Sequence, residues 1–182
     1  MAKKTSKASF RIAVSLVGMV VMAMMIWTAS RAALAGRYTT RAIKEANISL
    51  SEKAVALVES DPDTHLVRGA FMEANDDLAS AIVEYERAIK LRPQDYVLWL
   101  TLARALELNG EREKGIAAAQ MAVPCAPFYA QTHWQLGNLL LRGGQRDEAF
   151  NELRLAAASN PLMQPAVMDL VWQLSKGNAQ AV

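Results

Sequence analysis

The chain has 182 residues, with 20 Lys and Arg, 18 Asp and Glu, and an apolar share of 52%. Eight of the basic residues (Lys3, Lys4, Lys7, Arg11, Arg31, Arg37, Arg41 and Lys44) flank one apolar run, and from Glu45 onward twelve basic residues face eighteen acidic ones. A nucleic-acid binder carries its basic charge on the folded domain, so that class is excluded; the single Cys125 excludes an internal disulfide and lacks the neighbours of a metal site.

After a basic tail, residues 1–11, the segment 12–30 (IAVSLVGMVVMAMMIWTAS) holds no charge. As a helix it spans roughly 28 Å, the thickness of a bilayer core. Trp27 suits an interfacial anchor and the four Met residues suit lipid. The segment therefore predicts a single transmembrane helix. A short basic tail ahead of the first apolar run is a signal-anchor layout. It places the N-terminus in the cytoplasm and the rest outside, in the periplasm if the cell is a diderm bacterium. The rival is a signal peptide cut after Ala35, because Ala33-Leu34-Ala35 has the small-residue pattern. The length of the run and Arg31 within the cleavage region argue against it.

Residues 31–61 read as a basic juxtamembrane linker. Arg31 to Lys44 extends the helix into the headgroup layer. Asn47-Ile48-Ser49 matches a glycosylation triplet and reads as a helix break. Ser51 is expected to cap a short helix, Glu52 to Ser60, covering the first repeat, and Asp61-Pro62-Asp63 to end it and start the next.

From Pro62 to Pro161 the chain repeats itself with a period of 34 and no insertion. Gly69, Ala103 and Gly137 align; so do Met72, Leu106 and Leu140; Ala81, Gly115 and Ala149; Tyr85, Ala119 and Leu153; Ala88, Ala122 and Ala156; and Pro93, Pro127 and Pro161. Small residues mark close helix crossings and large ones fill the gaps between them. Asn75-Asp76-Asp77, Asn109-Gly110 and Gly143-Gly144 supply the turns between the two helices of each unit. Pro124 is expected to shorten the second helix of the middle unit. Beyond Pro161, Val167, Leu170, Val171 and Leu174 stripe a capping helix over 163–176, with Asp169, Gln173 and Lys176 outward and a loose tail after it.

These columns resemble the tetratricopeptide repeat family, most closely in Trp134, Leu136, Gly137, Leu140, Ala149, Leu153, Ala156 and Pro161. The resemblance implies an all-α fold: a right-handed superhelix of about three helix-turn-helix units (62–95, 96–129, 130–163) plus the cap. It also implies a concave binding face lined by the first helix of each unit. Column by column, that face takes Leu66, Ala70 and Glu73; Val97, Leu100, Thr101, Arg104 and Glu107; Gln131, Trp134, Gln135, Asn138 and Arg142; and Met168, Asp169 and Trp172. The partner-binding set is Leu100, Arg104, Gln131, Trp134, Gln135, Asn138, Arg142 and Trp172. Gln135 and Asn138 are expected to pair with backbone amides and the two arginines with a partner carboxylate. Trp134 and Trp172 would supply either contact area or inter-repeat core, and Trp99 core.

Nothing in the chain reads as catalytic. His65 and His133 share a column two repeats apart and cannot share a metal, so each is expected to be a partly buried helix residue. Asp76-Asp77, Glu84 with Glu86, and Asp147-Glu148 read as solvated faces or helix starts. No nucleophile neighbours a base and no phosphate cradle appears. The expectation is a membrane-tethered adaptor or assembly factor for a protein or peptide partner of the membrane or envelope, with no cofactor and no small-molecule substrate. The third unit also looks like modules of bacterial envelope and exopolysaccharide assembly. The alternative is a structural accessory subunit held through its transmembrane helix.

Overall fold

The structure, a computed structural model, describes residues 2–174, with side chains for 15–173. The side chains of the basic tail, Lys176 and the final tail lie outside the described residues. Every described element is helical, and the chain divides into two compact units at Ser60–Asp61.

In the first unit, α1 (Ala2–Glu45) is one continuous helix. It is the one described helix long and apolar enough to cross a membrane. Its apolar side chains, among them Met22, Met24, Ile26 and Trp27, point outward. Thr28 and Ser30 donate to the carbonyls of Met25 and Ile26 at 3.0 and 2.8 Å, so these hydroxyls are satisfied within the helix. The Arg31 guanidinium lies 4.7 Å from the Trp27 ring centroid. A turn through Ala46, at φ 47°, reverses the chain into α2 (Ile48–Leu57). The returning helix buries Ala35 and Ala42 of α1 against its own Leu50, Ser51, Ala54 and Val55. The expected short helix thus begins four residues early. Asn47 Oδ1 accepts from the Ser49 backbone N–H at 3.0 Å and so caps the helix before Ser51 can; Ser51 instead donates to the Ile48 carbonyl inside it.

In the second unit three helix pairs follow: α3 (Pro62–Ala74) with α4 (Leu78–Leu91), α5 (Tyr96–Leu108) with α6 (Arg112–Cys125), and α7 (Ala130–Arg142) with α8 (Arg146–Ser159). A 3-10 turn, Pro161–Met163, leads to α9 (Gln164–Leu174), which buries Val167 and leaves Asp169 and Gln173 exposed. Pro124 does not shorten α6, which has the same 14 residues as α4 and α8. It stands in the last turn, where its missing N–H forfeits a single helix bond. Asp76, Gly110 and Gly144 occupy one turn position, all left-handed (φ 64°, 83° and 81°), and Asp77 caps α4 through Ser80 N.

The small-residue columns mark the crossings, with one exchange between repeats. A Cβ on Gly69 would stand 2.6 Å from the Tyr85 ring, and one on Gly137 2.9 Å from Leu153 Cγ. The middle repeat has Ala103 there because Ala119 stands opposite, in the place of Tyr85 and Leu153. Its second helix approaches so closely that a Cβ on Gly115 would lie 2.9 Å from the Ala103 carbonyl oxygen. The gap is shared differently in each repeat, and the helix pairs still close.

Both histidines are fully buried, at 1% and 4% exposure, rather than partly so. His65 Nδ1 lies 2.8 Å from Glu84 Oε2, and His133 Nδ1 2.7 Å from Glu152 Oε2, each pair joining the two helices of one repeat. Glu84 is therefore no solvated residue: it is 3% exposed and also takes Arg87 at 2.8 Å, with Arg68 at 3.8 Å. That accounts for Arg68 in the column that holds Leu102 and Leu136 in the other two repeats. In the middle repeat Trp99 and Ala118 replace the pair. The Trp99 indole donates to the Pro93 carbonyl at 2.8 Å, as His133 Nε2 does to Pro127 at 2.9 Å. Trp99 packs against the core as expected.

Candidate partner-binding groove

The first helices of the second and third repeats enclose an open groove in two adjoining compartments. One, about 360 Å³, is lined by Arg104, Glu107, Gln131, Trp134, Gln135, Asn138, Leu139 and Arg142. The other, about 260 Å³, is lined by Tyr96, Val97, Leu100, Thr101, Arg104, Tyr129, Gln131 and Gln135. Leu100, Arg104, Gln131, Trp134, Gln135, Asn138 and Arg142 all come together here. Trp172 does not: it stands exposed on α9 and lines neither compartment, nor do Met168 and Asp169. Leu66 packs against the core. Trp134 is half-buried, with its ring on the groove wall.

The two arginines already have partners. Arg104 grips both carboxylate oxygens of Glu73, Nη2 at 2.9 Å, and Arg142 grips both oxygens of Glu107, Nη2 at 2.8 Å. Each pair ties one repeat to the next in the fork geometry that suits guanidinium and carboxylate. Burial acts to raise the Glu73 pKa, but the hydrogen bonds from Arg104 and Tyr85 outweigh it and hold the carboxyl below its ordinary range. The same pair holds Arg104 above its ordinary value. Burial first, and then the hydrogen bond to Glu73, push the Tyr85 hydroxyl well above the usual phenol range. Because its folded value is lowered, Glu73 contributes its full stability above about pH 4.5, its ordinary value, and loses it as pH falls through the lower folded value. Glu73→Gln is expected to flatten that part of the acid limb in urea midpoints measured from neutral to acid pH. An unchanged limb would show the pair to be worth nothing in solution.

Tyr96, Tyr129 and Leu139 also line the groove, beyond the residues expected there. The two tyrosine rings lie 5.1 Å apart, tilted by 57°. The column period holds a signal for one of them. Asp61 and Asp95 cap α3 and α5 through their side chains, and Tyr129, 34 residues on from Asp95, stands at the same place before α7 and makes no cap hydrogen bond. The Asn138 amide is turned along its own helix, donating to the Trp134 carbonyl at 2.8 Å. Among the described residues no cluster of His, Cys, Asp or Glu could hold a metal.

Residues 62–105 match the tetratricopeptide repeat family. The TPR repeat-containing thioredoxin TTL4 of Arabidopsis thaliana is 33% identical over 106 residues, covering 58% of this chain and 15% of that protein. The peroxisomal targeting signal receptor of Eremothecium gossypii is 30% identical over 103 residues, 57% of this chain and 18% of that one. The chain thus spans less than a fifth of the length of either relative. Among solved structures, MamA superposes with a TM-score of 0.64 at 21% identity, over 90% of this chain and 95% of that one. YrrB, a TPR protein with an unusual peptide-binding site, gives 0.65 at 17% identity, over 84% and 79%. The matched residues, the all-helical pairs and these structural neighbours agree on a fold of tetratricopeptide-type helix pairs.

Proposed function

We propose that this protein is a non-catalytic, membrane-tethered adaptor that grips a segment of a partner protein in the groove of its second and third repeats. One observation carries the reading: Tyr129. A capping Asp or Asn stabilises a helix start by about 1 kcal/mol, and the chain forgoes that at α7 for an aromatic ring, 50% exposed, on the groove wall. A protein that departs from its own local rule does so chiefly where function needs the side chain. The fold supports the reading: its likenesses include a receptor for a targeting signal and a protein with a peptide-binding site. α1 would tether the groove at the membrane, N-terminus inside, and raise its effective concentration near envelope partners such as an exopolysaccharide assembly.

The exposed apolar flank of α1 favours one other reading, an accessory subunit held through its span. Tyr129→Asp separates the two. It is expected to leave stability within about 1 kcal/mol of wild type, the cap it gains offsetting the Tyr96 ring contact it loses, and to lose the partner in co-purification from native membranes. A partner kept by that variant, but lost when residues 1–30 are exchanged for a soluble leader, would overturn the groove reading in favour of the accessory subunit.

A further inference from the structure

We infer that the partner segment is extended and uncharged, seated by an apolar side chain against Tyr96, Val97, Leu100 and Tyr129. The inference rests on the groove being the binding face. The charges at that face cancel: Arg104 is forked onto Glu73 and Arg142 onto Glu107. A partner carboxylate would meet a guanidinium whose paired donors are taken, with a second carboxylate beside it. A partner cation would meet a carboxylate with both oxygens engaged. Neither charge gains what it leaves behind in water.

The remaining groups suit a neutral chain. Thr101 spends its one hydroxyl hydrogen on the Val97 carbonyl at 2.8 Å, and Asn138 spends one of its two amide hydrogens on that of Trp134. Gln131 and Gln135 offer a donor and an acceptor each. They stand four residues apart on α7, a spacing of roughly 6 Å. Alternate residues of an extended chain are separated by roughly 6.6 Å. The two amides therefore match successive same-side peptide groups of a strand-like segment. Beside them, Val97 and Tyr129, 43% and 50% exposed, leave apolar surface for one anchoring side chain.

The test is selection of short randomised peptides on the full chain in lipid nanodiscs. The expected winners are depleted in Asp, Glu, Lys and Arg and carry a recurrent apolar residue. Their affinity should change less than about twofold between roughly 0.05 and 0.5 M salt. The double variant Glu73→Gln, Glu107→Gln, which frees both arginines, should bind acidic peptides at least about tenfold more tightly than the wild type does. Acidic or basic winners on the wild type, or a steep loss of affinity with salt, would overturn the inference and leave the groove reading intact. No enrichment from either protein would overturn the groove reading, and the inference with it.

Discussion

Replacing Gly115 by valine is expected to lower the unfolding free energy by about 3 kcal/mol, at the upper end for overpacked cores. The added Cβ would stand 2.9 Å from the Ala103 carbonyl oxygen and 3.4 Å from the Glu107 backbone nitrogen. Those are main-chain atoms in the second half of α5, and they cannot rotate aside. The helices of the middle repeat must separate, and this repeat holds the centre of the core through Leu98, Leu102, Leu106 and Ile116. Gly137→Val should cost less, since the first obstacle there is the Leu153 side chain. A Cβ added at Gly36 would meet nothing within 4 Å, and Gly36→Ala should leave the stability within about 0.5 kcal/mol of wild type. Urea unfolding followed by circular dichroism ranks the three. Equal losses at Gly115 and Gly36 would refute the close crossing.

Glu84→Ala is expected to cost about 3 kcal/mol, because removing one partner of a buried pair strands the other. His65 and Glu84 have side chains 2% and 4% exposed, so water cannot replace the lost oxygen at Nδ1. Arg87 and Arg68 lose their common acceptor at the same time. The matching change in the third repeat, Glu152→Ala, should cost about 1 kcal/mol, nearer the loss of an ordinary hydrogen bond. Glu152 is 22% exposed, and solvent reaches its side of the pair. A larger loss at Glu152 than at Glu84 would contradict the burial that separates them.

Much of this architecture is legible in one sequence because each crossing leaves the same mark three times. Gly69, Ala103 and Gly137 set the period, and the turns follow. The His–Glu pairs escape such a search because Trp99 and Ala118 break both columns in the middle repeat. The arginine forks escape it for another reason: Glu73 and Arg104 are 31 residues apart, Glu107 and Arg142 35, so the two pairs share no offset. Arg104 and Arg142 thus read as free cations, while each belongs to an inter-repeat tie. Trp172 enters the binding set by standing 34 residues beyond Asn138, but it lines neither compartment of the groove. Tyr129 is readable as the break in a column of capping aspartates, and its meaning is clear only beside Tyr96 in the folded groove. The early start of α2 turns on which of two neighbouring polar residues caps it. Local spacing alone does not decide that.

Photo-crosslinking in native membranes shows whether the groove of repeats two and three is the face that holds a partner. A photoreactive residue replaces Gln135, on the groove wall, or Met121, exposed on α6 and outside both compartments. A discrete adduct is expected from position 135 and none from 121. An adduct from 121 alone, or only from positions within the α1 span, would contradict it.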